Sequence, residues 1–260
     1  MPVLHTPRGD ICYQLEGAGP VVTLSHSLSC NLHMWDDLAT ALATRFTVLR
    51  YDTRGHGSSS VPRGDYRFDD LVGDVLALLD GLSIARTHWV GVSMGGMIGQ
   101  HLALEAPARI DRLVIANSSS RIPPEAGPLW DERLRITREQ GCAALVEGTL
   151  ARWFTPGFRA ARPDVMQRIG EQIAATPAAG FAGCAAAIRQ LDITARLSAI
   201  AAPTLVIAGA DDTGTPPAMS EAIAAAIPGA RLDVIASASH LACLEQPEIF
   251  GRLVGDFLAA

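Results

Sequence analysis

The chain has 260 residues, 48% of them hydrophobic, a formal net charge of -6 and no lysine at all. This length and apolar content suit one α/β core with room for an insertion. The acidic balance and the lack of any arginine run argue against a nucleic-acid partner, and the missing lysine excludes Schiff-base chemistry. No window approaches a membrane span, and the opening Met1-Pro2-Val3-Leu4-His5-Thr6-Pro7-Arg8-Gly9 has neither the basic nor the apolar segment of an export leader. Five scattered cysteines (Cys12, Cys30, Cys142, Cys184, Cys243) with no Cys-x-x-Cys suit reduced thiols, so the expected compartment is the cytoplasm.

In chain order, residues 3–16 predict a hairpin turning at Arg8-Gly9-Asp10. Val21 to Ser25 predicts a buried strand opening into His26-Ser27-Leu28-Ser29-Cys30. A helix follows, with Met34, Trp35, Leu38, Ala41 and Leu42 at helical spacing. Phe46 to Tyr51 predicts the next strand, ending in Asp52-Thr53-Arg54-Gly55-His56-Gly57, and Phe68 to Leu79 an amphipathic helix. Thr87 to Val92 and Arg112 to Ala116 are further strands. From Arg121 to about Ile200 only helical segments occur, broken by Pro123-Pro124, Pro156-Gly157, Pro163 and Pro177. Strands resume at Thr204–Ala208 and Leu232–Ile235, with a helix over about 218–227 between them and another at the end. Strands alternating with helices imply a mostly parallel sheet covered on both faces, interrupted by an all-helical cap. The expected division is a core of 1–120 and 200–260 with a cap of 121–199. The cap holds ten arginines against eight acids and the remainder eleven against nineteen, so the cap is the relatively basic part.

The stretch Gly91-Val92-Ser93-Met94-Gly95-Gly96 joins a strand to a helix and fits Gly-x-Ser-x-Gly. In such a turn the serine takes a strained conformation that presents its hydroxyl, and side chains two residues either side would collide with the turn. The helix starting there aims the Met94 N–H at the place where charge forms on an attacked carbonyl oxygen. The alternatives, a dinucleotide or phosphate loop, fail because Ser93 stands in place of the second glycine and no Gly-Lys-Ser/Thr is present.

A serine nucleophile needs a histidine base oriented by a carboxylate, in the chain order serine, acid, histidine. Asp211-Asp212 after one late strand and His240 after the last supply that order. The second oxyanion donor is expected at the Leu28 backbone N–H. His26 precedes Ser93 and reads as loop packing. Asp52, Arg54, Gly55 and Gly57 read as loop structure, and Asp52 with His56 offers too few ligands for a metal. The chemistry calls for no cofactor.

With these residues in view, the chain resembles the α/β-hydrolase superfamily over nearly its whole length. Within it, the chain is most similar to the 3-oxoadipate enol-lactonases. The likeness rests on Ser27-Leu28, Leu49 to Gly57, Ser93-Met94-Gly95-Gly96, Arg152-Trp153-Phe154-Thr155, and Ala238-Ser239-His240 with Glu245. One departure is His26-Ser27-Leu28-Ser29, where those enzymes tend to have Asn-Ser-Leu-Gly. The resemblance implies an eight-stranded, mostly parallel sheet with helices on both faces and the cap after the sixth strand. It favours Asp212 over Asp211 as the acid. It also implies hydrolysis of a small anionic lactone in aromatic catabolism, with Arg152 meeting the substrate carboxylate and Trp153 walling the pocket. Readings that keep the same three residues are a carboxylesterase, a carbon–carbon bond hydrolase, and a cofactor-free perhydrolase or haloperoxidase. A non-catalytic receptor is a further reading.

Overall fold

The computed structural model describes residues Met1 to Ala260. β1 (Val3–Thr6) and β2 (Gly9–Gly17) form the expected hairpin, but Thr6 pairs with Gly9, so Pro7 and Arg8 make the turn. The Thr6 hydroxyl closes it by accepting from Arg8 N (3.1 Å) and donating to Gly9 O (2.7 Å), which leaves Gly9, at φ 123°, as the first residue of β2. Then come β3 (Val21–Ser25), α1 (Asp36–Leu42), β4 (Thr47–Tyr51), α2 (Phe68–Gly81), β5 (Thr87–Val92), α3 (Met94–Glu105) and β6 (Ile110–Ala116). After β6 the chain makes only helices, α4 (Gly127–Gln140), α5 (Val146–Trp153), α6 (Pro156–Ala161), α7 (Pro163–Ala175) and α8 (Ala178–Arg189), apart from short 3-10 turns. β7 (Thr204–Gly209), α9 (Pro217–Ala226), β8 (Arg231–Ile235), α10 (Ala242–Glu245) and α11 (Pro247–Ala259) complete it.

The eight strands lie in the order β1-β2-β4-β3-β5-β6-β7-β8. β1–β2 and β2–β4 are antiparallel and every other pairing is parallel, so β3 to β8 all end at one edge. Alternate residues enter opposite layers. Trp89, Leu113, Ile115 and Val206 pack with Leu71 and Leu78 of α2, Ile98 and Leu102 of α3 and Ile223 of α9. Val90, Val92, Val114, Leu205 and Ile207 pack with Ala39 and Leu42 of α1 and with Phe250 and Val254 of α11. Burial on both faces is why these strands read as unbroken apolar runs.

The two ends of the helical insertion are tied together. Ile122 N donates to Leu191 O and Ile193 N to Ser120 O, both at 2.9 Å, around an Arg121–Asp192 bridge. The insertion returns onto the strand-end loops by small residues and backbone bonds. Gly55, at φ 79° in the loop after β4, meets Gly180 of α8 so closely that a Cβ on Gly180 would lie 1.9 Å from Gly55 O. Tyr66 N donates to Gly183 O (3.1 Å), Asn31 N to Gln172 Oε1 (3.1 Å), and the Thr176 hydroxyl to Ser29 O (3.3 Å).

This contact makes a prediction. Gly180→Ala forces two backbones apart and should cost ~1–3 kcal/mol of unfolding free energy. Gly148→Ala, in α5 with open space where its Cβ would go, should be neutral or stabilising by up to ~1 kcal/mol. Urea unfolding of the two variants beside wild type checks both.

Candidate functional site

Ser93 sits between β5 and α3 at φ 55° and ψ -115°, outside the regions that L-residues ordinarily occupy. The glycines beside it are there for lack of space. A Cβ on Gly91 would fall 2.2 Å from the Gly95 carbonyl, and one on Gly95 would fall 2.1 Å from Ser25 O at the end of β3. Met94 opens α3, so its N–H has no acceptor within the helix. Neither this N–H nor that of Leu28, in the loop after β3, is taken by another group of the protein.

His240 and Asp212 come from the loops after β8 and β7. His240 Nδ1 lies 2.9 Å from Asp212 Oδ2, and both side chains are buried. Asp212 is held by an Asx-type turn, its Oδ1 accepting from Gly214 N (2.8 Å) and Thr215 N (2.9 Å). Oδ2 also accepts from the Thr215 hydroxyl (2.7 Å) and from Asn117 Nδ2 (3.0 Å). Burial alone would raise the Asp212 pKa. The His240 charge, its hydrogen bond and the Thr215 donors outweigh burial and hold the carboxyl well below the usual range, so Asp212 stays ionised. Asp211 is exposed and spends its N–H on Ala238 O, which separates the two neighbouring aspartates. Asn117, directly after β6, is a donor to the acid, and the sequence reading does not single out Thr215. The Asp-Thr-Gly-Thr spacing of an Asx turn was the available signal for Thr215.

Arg152 and Trp153 end α5, and their segment is fastened to the His240 loop. The Ser239 hydroxyl donates to Arg152 O (3.0 Å) and Leu241 N to Trp153 O (3.2 Å). Glu245 Oε1 accepts from Thr155 N (2.9 Å) and the Thr155 hydroxyl (2.7 Å), and its other oxygen accepts from Ser239 N. The Trp153 indole stacks on His240 with centroids 5.8 Å apart. Arg152 has no carboxylate partner, and burial pushes its pKa down with no acid offsetting it. Ser93, Leu28, His240, Arg152 and Trp153 all line one cavity of about 170 Å³, whose far side is made by α4.

The titratable side chains His26, Asp52, Arg54 and His56 of the loops after β3 and β4 are occupied. His26 Nε2 accepts from Thr53 N (2.9 Å) while its Nδ1 meets Ser27 O (2.8 Å). His56 Nε2 accepts from Ser29 N (3.0 Å) while its Nδ1 meets Arg54 O (3.2 Å). Asp52 accepts from Leu32 N and Ser58 N, both at 2.8 Å, and Arg54 pairs with Asp74. These hydrogen bonds tie the loop after β3 to the loop after β4.

A buried acid–histidine pair and a strained serine at the carboxyl edge of such a sheet define the class: residues 20–247 match the alpha/beta hydrolase fold family, and the chain belongs to it. Nearer relatives narrow the chemistry. The chain is 38% identical over 235 residues, 90% of its length and 87% of the relative's, to 3-oxoadipate enol-lactonase 2 of Acinetobacter baylyi. It superposes with a TM-score of 0.96 and 38% identity on the enol-lactonase from Burkholderia xenovorans LB400, covering 100% of both chains. A thermophilic esterase from Thermogutta terrifontis matches at a TM-score of 0.92 and 28% identity, over 99% of this chain and 96% of the other. The chain is thus a hydrolase of the ester- and lactone-cleaving kind with a small-molecule substrate. No helix is long and apolar enough to cross a membrane.

The loop histidines predict an acid limit. Burial pushes His26 down to about 4; burial, then the neighbouring His26, push His56 down to about 3. Each Nε2 faces an N–H donor, so both stay neutral when folded and take up protons only on unfolding. Stability is complete above the ordinary histidine value near ~6.5 and falls as pH drops from there toward ~4. Urea titrations across this range should show about two protons taken up on unfolding from these residues, and His26→Gln should remove about one.

Proposed function

We propose that the chain opens the ring of 3-oxoadipate enol-lactone to give 3-oxoadipate, a step of aromatic catabolism in the β-ketoadipate pathway, through an acyl-enzyme on Ser93. The observation that carries this reading is an unpaired arginine, Arg152, in the same cavity as Ser93, His240 and Leu28. A neutral ester needs no such cation. A lactone with a carboxylate arm does. Sequence likeness to proteins named as enol-lactonases supports it independently.

In this mechanism Ser93 Oγ attacks the lactone carbonyl while His240 Nε2 takes its proton, and Asp212 holds the imidazole through Nδ1. The Leu28 and Met94 N–H groups receive the oxyanion. The ring C–O bond breaks, and the leaving enol oxygen takes the proton back from His240. That enol remains tethered to the acyl group and could reclose, but ketonisation removes it as a nucleophile. Water deprotonated by His240 then attacks the acyl carbon, and Ser93 leaves with the proton. Arg152 grips the carboxylate arm and Trp153 walls the pocket while also bracing His240. Residues 121–199 act as a cap domain over a core of 1–120 and 200–260. Five free, buried cysteines suit a reducing cytoplasm.

The test is kcat/KM for 3-oxoadipate enol-lactone beside a neutral aryl acetate. The lactone should be preferred by orders of magnitude. Ser93→Ala should lose at least ~10⁴-fold on both substrates and Asp212→Asn on the order of 10⁴-fold. Arg152→Ala should lose roughly 10- to 100-fold, mainly on the lactone. An equal or better rate on the acetate assigns a general esterase, and halide-dependent bromination with peroxide assigns the perhydrolase reading.

A further inference from the structure

The cavity holds a second cation that the chemistry above does not use. Arg133, on α4, lines it together with Arg152, which reaches it from α5. Its Nε is shut off from solvent and has no hydrogen-bond partner. The two arginines with the least exposed side chains among the ion pairs are neutralised, Arg54 by Asp74 and Arg50 by Asp36 and Glu16. Arg133 has aromatic faces instead, its guanidinium carbon lying 4.7 Å from the Trp130 centroid and 5.1 Å from that of Phe181. Such packing fixes the guanidinium plane and leaves its N–H edge without an acceptor. Burial, then the charge of Arg152, push the Arg133 pKa down to about 9, so the two cations disfavour each other while the cavity is empty. Two uncompensated cations lining one cavity cost stability unless an anion joins them.

We propose that Arg133 is a specificity-determining residue, which together with Arg152 forms a two-arginine site for a ligand carboxylate, restricting the cavity to carboxylate-bearing esters and lactones. The proposal rests on the Ser93 hydrolase reading but not on the identity of the lactone. It gives one role to two insertion helices: α5 carries the arginine tied to the His240 loop, and α4 the one set on aromatic rings.

The test uses the full-length protein and two probes, adipate and its neutral counterpart adipamide. Adipate should raise the wild-type melting temperature at millimolar concentration while adipamide does not. Arg133→Met should weaken adipate binding roughly 10- to 100-fold, and Arg133→Lys should recover part of the loss. The ratio of kcat/KM for the enol-lactone to that for a neutral aryl acetate should fall by a similar factor in Arg133→Met. Should that variant not fold, the Arg133 Nε–H signal of wild type, followed by ¹⁵N NMR, decides: it should shift on saturation with adipate and stay put with adipamide. A folded Arg133→Met that binds adipate and discriminates substrates like wild type overturns the proposal. So does a wild type that adipate leaves unaffected, or an unmoved Nε–H signal. A wild type that ignores the enol-lactone yet binds adipate through Arg133 overturns only the lactone assignment. A lactone preference lost in Arg152→Ala and kept in Arg133→Met overturns only the role of Arg133.

Discussion

The close approach of three backbones at the end of β5 constrains everything around it. Gly95 lies against the Ser25 carbonyl, and Gly91 against Gly95, at separations that admit no side chain. This contact lets α3 start immediately beyond the sheet edge, and Ser93 carries the strain of the turn at φ 55°. Because β3 is the sheet neighbour of β5, the loop that leaves Ser25 carries Leu28 to the same cavity. Leu28 and Ser93, distant in sequence, therefore line one cavity without any side chain having to place them.

Around that point the strand-end loops are fixed by hydrogen bonds of buried carboxylates and histidines. Asp212 accepts from five donors, His240 among them. His26, His56 and Asp52 are spent on backbone N–H groups of neighbouring loops. A buried polar group left unpaired costs more than a paired one contributes, so such a network has one low-energy arrangement and holds the loops rigidly. Glu245 extends the same device to the insertion by binding Thr155 and Ser239 together, which sets Trp153 against the His240 ring.

The insertion contributes a different kind of chemistry. The core edge supplies groups suited to attacking a carbonyl. Helices α4 and α5 supply aromatic rings and two arginines without carboxylate partners. Placing reaction and selection on separate segments lets the substrate change by altering helices that take no part in the sheet, in keeping with an esterase among the structural neighbours.

The sequence by itself determined the sheet, the layers, the elbow and the order of serine, acid and histidine. These follow from local rules: apolar runs with alternating burial, glycines where no Cβ fits, and loops at strand ends. The hairpin turn falls at Pro7-Arg8 rather than at Arg8-Gly9-Asp10, because the Thr6 hydroxyl bonds that set it are not a composition signal. The resemblance favours Asp212 over Asp211, and the fold gives the physical difference: Asp212 faces His240 while Asp211 is exposed. Tertiary structure alone decided that Asn117 and Thr215 serve Asp212. It alone also decided that Arg152 lacks an acid and that Arg133 shares its cavity. Whether an arginine is neutralised depends on residues far off in the chain, and charge pairing leaves no periodic trace in the sequence.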